Sequence, residues 1–194
     1  MSLAGFVLVG GRSSRMGRDK ARLAVGSCLL VEDVAAKVRF LTRNVALIGE
    51  TQRYRDLPFE CFEDLRQYQG PLAGIETALA MGRGEWNLIV ACDMPNLRTE
   101  WLAALIAEAR KTPCDCIVLK DAKAKIHPLC GIWRASCLPV VRRALDAHRP
   151  KVMDLLAELP TAYMPVGATI ANVNTPEDWD RWRASNLKEA AHSA

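Results

Sequence analysis

The chain has 194 residues, half of them hydrophobic and 25% charged, and carries a net charge of +4. That length and apolar share support one compact domain over residues 1–194 with a substantial core, and exclude a disordered or low-complexity chain. The basic excess is mild and scattered along the sequence, which suits anionic small molecules and lacks the clustered basic faces of a nucleic-acid binder.

Gly5–Val9 reads as a first strand, short and apolar without alternation, as expected of a strand buried on both faces in a parallel sheet. It opens into Gly10-Gly11-Arg12-Ser13-Ser14-Arg15-Met16-Gly17-Arg18-Asp19-Lys20. The glycines let backbone amides turn toward an anion, the serines donate hydroxyls, and Arg15 and Lys20 bring positive charge, so the loop reads as a triphosphate cradle. Its spacing is neither that of a P-loop nor the dinucleotide pattern Gly-x-Gly-x-x-Gly, and the rival is an ordinary strand-to-helix connection with solvated charges.

Leu29, Leu30, Val34 and Val38 then recur at helical spacing through about Leu41, followed by a second strand at Asn44–Ile48. Gln52–Pro58 is polar and connects to a third strand, Phe59–Phe62, that ends at Glu63-Asp64. In Gly70-Pro71-Leu72-Ala73-Gly74 the proline suits the first position of a helix reaching about Met81. Leu88–Ala91 is a fourth strand ending in Cys92-Asp93-Met94-Pro95, Trp101–Ala109 a helix, and Cys116–Leu119 a further strand.

The second half is less regular: Lys120–Ile126 is a charged loop or hairpin, His127–Trp133 a strand, and Ala135–His148 and Val152–Leu159 are helical. Ala162–Val166 and Ile170–Val173 read as short strands, and Thr175-Pro176-Glu177-Asp178 caps a last helix. Alternating strands and helices select an α/β fold with a mainly parallel sheet.

Seven cysteines without regular spacing argue for a reducing compartment rather than a disulfide framework, and Cys114 and Cys116 read as buried packing. No apolar run is long enough for a membrane span, so the expected location is the cytoplasm.

In an open α/β sheet ligands bind beyond the carboxyl ends of the strands, and the polar features collect there: the glycine loop, Asp64, Asp93, Asn172 and Asn174. Asp93 reads either as a lone carboxylate that holds Mg²⁺ together with substrate phosphates, or as a helix cap. Asp64 reads either as an acceptor for a base or sugar, or as a loop cap. His127 reads either as a general base or, with no nucleophile motif around it, as a structural residue; Cys130 reads as packing, and the spacing of Trp179 and Trp182 is that of a core.

With these residues in order, the chain resembles the molybdenum cofactor guanylyltransferases, the MobA family within the nucleotidyltransferase fold. The resemblance spans nearly the whole length and is carried by Leu8 through Lys20, Asp64, Gly70-Pro71-Leu72-Ala73-Gly74, Cys92-Asp93-Met94-Pro95, His127-Pro128 and Asn172-Val173-Asn174-Thr175-Pro176-Glu177. It implies a three-layer, Rossmann-like, doubly wound sheet of the nucleotide-diphospho-sugar transferase type. It implies transfer of GMP from GTP to the terminal phosphate of molybdopterin with Mg²⁺, releasing pyrophosphate. In that reading Leu8, Val9, Gly10 and Gly11 contact the nucleotide and Lys20 holds its phosphates. Asp64 with Gly70, Pro71, Leu72 and Gly74 faces guanine, Asp93 binds the metal, and Asn172 and Asn174 lie toward the pterin.

Arg15, Lys20 and the metal held at Asp93 would offset the charge that develops during in-line attack at the α-phosphorus, and no general base is required because a phosphate nucleophile is already an anion. Proteins that deliver or accept the cofactor are the implied partners. Two departures stand out: Val9 replaces the family's usual alanine, and Ile48 stands where relatives can carry a nucleotide-contacting asparagine. The rivals are a cytidylyltransferase for the same cofactor, a sugar- or alcohol-phosphate nucleotidyltransferase, and a non-catalytic GTP-binding delivery protein.

Overall fold

The computed structural model describes residues 1–10 and 16–192. Leu3–Leu8 forms β1, and a 3-10 turn at Lys20–Arg22 leads into a small hairpin, Ala24–Val25 (β2) with Cys28–Leu29 (β3). Leu30–Thr42 is α1, Val45–Ile48 β4, Thr51–Tyr54 a one-turn α2 and Glu60–Phe62 β5. Pro71–Ala80 forms α3, Trp86–Ala91 β6, Thr99–Ala109 α4, Cys116–Lys120 β7 and Ile126–Arg134 β8. Leu138–Asp146 is α5, Val152–Glu158 α6, Thr161–Pro165 β9 and Pro176–His192 α7.

The large sheet has seven strands in the order β5-β4-β1-β6-β8-β7-β9. Every neighbouring pair is parallel except the two that involve β8, which runs against both β6 and β7. Both faces are covered, which explains the unbroken apolar strands. Alternate residues of β1 serve opposite sides: Val7 packs with Val34 and Val38 of α1 and Leu102 and Leu105 of α4. Phe6 and Leu8 pack with Leu72 and Ile75 of α3 and Val141 and Leu145 of α5.

Helix ends follow local chemistry. The Leu29 amide donates to Glu32 Oε2 at 2.8 Å, closing the first turn of α1, and Arg43 ends that helix in a left-handed conformation at φ 66°. Pro71 occupies the first turn of α3 as expected. At the start of α7, Asp178 N donates to Thr175 Oγ1 at 3.2 Å while Asp178 Oδ2 accepts from the Asn174 and Thr175 amides at 3.1 Å each.

Two expectations are corrected. Ile170–Val173 is no strand: Ile170 and Val173 are buried, but the Val173 amide donates to the Asp93 carbonyl at 2.8 Å instead of joining a ladder. The Gln52–Pro58 connection opens with α2, which buries Tyr54. The charged stretch after β7, expected as a loop or hairpin, is the hairpin, closed by Asp121 N donating to the Lys125 carbonyl at 2.9 Å. Cys114 and Cys116 are buried, as expected, and all seven cysteines are free thiols.

Candidate functional site

From β1 the chain first builds outward through β4 and β5, then returns to place β6 on the other side of β1. Such a reversal leaves a crevice beyond the carboxyl ends of the two central strands. Gly10 follows one strand end and Asp93 follows the other. The Val9 amide donates to the Ile48 carbonyl at 2.9 Å and the Cys92 amide to the Leu8 carbonyl at 3.1 Å, so both strand ends are fixed by the main chain. Ile48 itself is buried with Leu8 and Leu72, which puts an apolar side chain under the crevice.

Three side chains from two distant stretches of the chain gather at Asp93. Lys20 Nζ lies 3.4 Å from Asp93 Oδ2 and donates to Asn174 Oδ1 at 3.2 Å, while Asn172 Nδ2 lies 3.4 Å from Asp93 Oδ1. The helix after Asp93 begins only at Thr99 and has no side-chain cap, so Asp93 is not a helix cap. Lys20 is held from below. Asp19 Oδ1 accepts from the Ala21 amide at 3.0 Å, and the buried Tyr54 hydroxyl lies 2.9 Å from Asp19 Oδ2 and 3.0 Å from the Val9 carbonyl. Burial, followed by the charge of Asp19, pushes the Tyr54 pKa far above its ordinary value, so the hydroxyl stays protonated as a donor.

Asp64 occupies the opposite wall. A Cβ on Gly10 would come to 3.4 Å from Asp64 Oδ2, and one on Gly74 to 3.4 Å from Asp64 Oδ1 and 3.0 Å from Leu8 Cδ2, so the carboxylate is wedged between two glycines. No described residue donates a hydrogen bond to it, and partial burial raises its pKa. Gly70, at φ 72°, makes the left-handed turn that starts α3 over this wall. The loop between them is tied to α3: the Leu65 amide donates to Thr77 Oγ1 at 2.9 Å. Arg66 Nε donates to Glu76 Oε2 at 2.9 Å. Glu76 is 2% exposed, and its other oxygen lies 3.3 Å from Arg142 Nε on α5.

The sites expected at Leu8, Val9 and Leu72 are buried side chains, so only their main chain can face a ligand, whereas Pro71 is exposed. Gly11 and Arg15, with Arg12, Ser13 and Ser14, lie outside the described residues. His127 is buried, its Nε2 3.2 Å from Asp121 Oδ2, which fits the structural one of its two expected roles. Cys92 and Cys130 are buried beside Asp93. Burial pushes the Cys92 thiol up to about 12 and the Cys130 thiol higher still, which removes both as thiolate nucleophiles.

Sequence reasoning missed Lys125, whose Nζ donates to Asn172 Oδ1 at 2.9 Å. Its only signal was the short charged stretch between two strands. A separate groove of about 720 Å³ borders the Lys20 turn, lined by Arg18, Asp19, Arg22, Trp179 and Trp182 among others. Trp179 is buried as a core residue, and Trp182 stacks on it with ring centroids 5.0 Å apart. Among the described residues no three His, Cys, Asp or Glu side chains gather as a metal centre, and no helix is long and apolar enough to cross a membrane.

A family model described as the MobA-like NTP transferase domain matches residues 5–162. The chain belongs to that family. The matched span runs from β1 into β9, covering Lys20, Asp64 and Asp93 and ending before Asn172 and Asn174. Similarity to single relatives extends over those residues as well. A Carboxydothermus hydrogenoformans protein named "Probable molybdenum cofactor guanylyltransferase" is 35% identical over 193 residues, covering 94% of this chain and 96% of the relative. One of the same name from Flavobacterium johnsoniae is 34% identical over 181 residues, covering 91% and 94%. The crystal structure of molybdopterin-guanine dinucleotide biosynthesis protein A from Archaeoglobus fulgidus superposes with a TM-score of 0.80 at 26% identity. It covers 95% of this chain and 99% of that one. CMP:2-keto-3-deoxy-manno-octonic acid synthetase, at a TM-score of 0.79 but 12% identity, shares the fold alone.

Proposed function

We propose that this member of the family transfers GMP from GTP to the terminal phosphate of molybdopterin, forming the guanine dinucleotide cofactor and pyrophosphate. The observation that carries the proposal is the placing of Lys20 and Asp93, 3.4 Å apart, at the sheet's switch point, with Asp64 on the facing wall. The names of the relatives that match over nine-tenths of the chain support the choice of guanine and molybdopterin.

The division of labour follows from charge. Lys20, together with Arg15 from the glycine-rich loop, neutralises the phosphates that leave as pyrophosphate. Asp64 offers two acceptor oxygens with no described donor. The Watson–Crick edge of guanine carries adjacent N1–H and N2–H donors that can satisfy both, and the glycines at positions 10 and 74 leave room for the ring. Asn172, beside Asp93 Oδ1, and Asn174, which accepts from Lys20, face the acceptor, with Asn174 next to the phosphates that Lys20 holds. A single carboxylate beside substrate phosphates is an adequate donor set for Mg²⁺, and Asp93 would hold it. When bound, the ion neutralises charge on phosphate oxygens. No residue is needed as a general base, consistent with a buried His127 and protonated thiols. The reading makes the protein a cytoplasmic enzyme that works between proteins that deliver and accept the cofactor.

The test is to incubate the purified chain with molybdopterin, Mg²⁺ and either GTP or CTP, and to measure pyrophosphate release and dinucleotide formation. Turnover with GTP well above CTP is expected. Preference for CTP overturns the base assignment, and no transfer from either nucleotide overturns the reaction.

A further inference from the structure

Asp93 divides the carboxyl edge of the sheet in two. Gly10 lies on the β1 side and Asp64 beyond β5, so the strands β1, β4 and β5 carry the nucleotide's wall. On the other side stand β8, β7 and β9, where β8, the reversed strand, brings a hairpin turn to the same edge. That turn carries Lys125.

The turn is more rigidly built than a solvated tip requires. Asp121 is 5% exposed, and its Oδ1 accepts from the Lys123 amide at 2.8 Å and the Lys125 amide at 3.0 Å. Its Oδ2 faces His127 Nε2 at 3.2 Å, the Ala124 amide donates to its carbonyl at 2.9 Å, and Ala124 adopts φ 60° to complete the turn. One buried carboxylate thus fixes the whole span from residue 121 to residue 127. The outcome is a defined place for Lys125 Nζ, which donates to Asn172 Oδ1 at 2.9 Å. Asn172 in turn reaches Asp93 Oδ1. Lys125 pairs with no carboxylate among the described residues, so its charge is held at the crevice by an amide and is available to an anion.

We propose that Lys125 binds the terminal phosphate of the acceptor, on the side of Asp93 opposite Lys20; this rests on the guanylyl-transfer reading above. In the step itself an oxygen of that phosphate forms a bond to the α-phosphorus of GTP. The bond from the α-phosphorus to the bridging oxygen breaks, and its electron pair leaves with pyrophosphate. Two anions must approach for that bond to form, and the two lysines serve one each: Lys20 the departing phosphates and Lys125 the incoming one. Asp121 is a positioning residue that acts through Lys125.

The experiment is steady-state kinetics of the full chain with GTP and molybdopterin both varied, for wild type, Lys125→Met, Lys125→Arg and Asp121→Asn, with thermal melts as the check on folding. Lys125→Met should raise the KM for molybdopterin about 10-fold, as loss of one charge-assisted hydrogen bond predicts, and leave the KM for GTP within about 2-fold. Lys125→Arg should recover most of the acceptor affinity. Asp121→Asn should raise the acceptor KM in the same direction. An unchanged acceptor KM in a folded Lys125→Met protein, or equal changes for both substrates, overturns the role of Lys125 while leaving the transfer reaction standing. Wild-type protein that transfers no nucleotide overturns both.

Discussion

Lys20 and Asp93 stand 73 residues apart in the chain and 3.4 Å apart in space, each held by main-chain bonds at the end of a different loop. The pair is partly open to water, with 20% and 11% of the side chains exposed, so as an isolated ion pair it adds little to stability. In the proposed guanylyl transfer its worth lies in charge placed in advance where phosphates react. Lys20→Met and Asp93→Asn should each lower turnover by about 10²-fold or more while the melting temperature shifts only slightly. Near-normal turnover in either folded variant would remove these residues from the mechanism.

Tyr54 predicts a milder effect. Its hydroxyl is the buried link between the Val9 carbonyl and the Asp19 carboxylate. Tyr54→Phe removes the one proton that these two acceptors share, at a cost of about 1–2 kcal/mol, or a drop of roughly 2–8 °C in Tm for a chain of this size. Because Asp19 shapes the turn that carries Lys20, the KM for GTP should rise too. A variant that melts lower but binds GTP normally would confine Tyr54 to stability.

Asp64 sets stability against function. Burial raises its pKa, so the folded protein holds a proton there at a pH where the unfolded chain has released it. Between the ordinary carboxylate pKa and the raised one the native state binds more protons, and stability therefore falls as pH rises through the raised value. Asp64→Asn should melt higher than wild type near pH 7, with the difference closing as pH falls toward about 4, and should bind GTP more weakly. Melting curves across that range, paired with nucleotide titrations, test both halves. A melting difference that widens on acidification contradicts the assignment.

Glu76 anchors the loop on the nucleotide's wall. Its buried carboxylate serves Arg66 and Arg142, whose side chains are 28% and 49% exposed and can be partly rescued by water. Glu76→Ala should thus cost about 2–3 kcal/mol, below the range for a fully buried pair. Chemical denaturation measures that loss. The KM for GTP should rise with it, because residues 65–69 lose the Arg66 tie to α3 and keep the bond from the Leu65 amide to Thr77; a cost under about 0.5 kcal/mol would show the network to be ornamental.

The sequence made one half of this site readable and hid the other. Doubly buried strands announce themselves as apolar runs, so Gly10, Asp64 and Asp93 could be placed at strand ends, and Pro71 marked the start of α3 in the ordinary way. Direction leaves no such mark: nothing in Ile126–Arg134 says that β8 runs against its neighbours. Without that reversal Lys125 looks like one more solvated cation beside Lys120 and Lys123. The apolar pattern of residues 170–173 reads as a strand for a related reason. Burial beneath Asp93 gives it the spacing, but the segment uses its amide to hold the Asp93 main chain. The two-residue strands β2 and β3 are too short to carry any period.

The reversal of β8 has an evolutionary and practical corollary. Loops that leave a parallel strand must feed a helix on one face of the sheet, so altering them disturbs a layer. The β7–β8 turn instead passes straight into the adjacent strand, with its ends pinned by Asp121 and His127 and the tip at Ala122–Ala124 facing solvent. With Asp121 and the turn's length kept, the exposed side chains at its tip can be exchanged without repacking either core. The natural place to retune which phosphorylated acceptor the scaffold accepts is therefore this turn, and grafting tips from relatives with other acceptors is the direct way to use it.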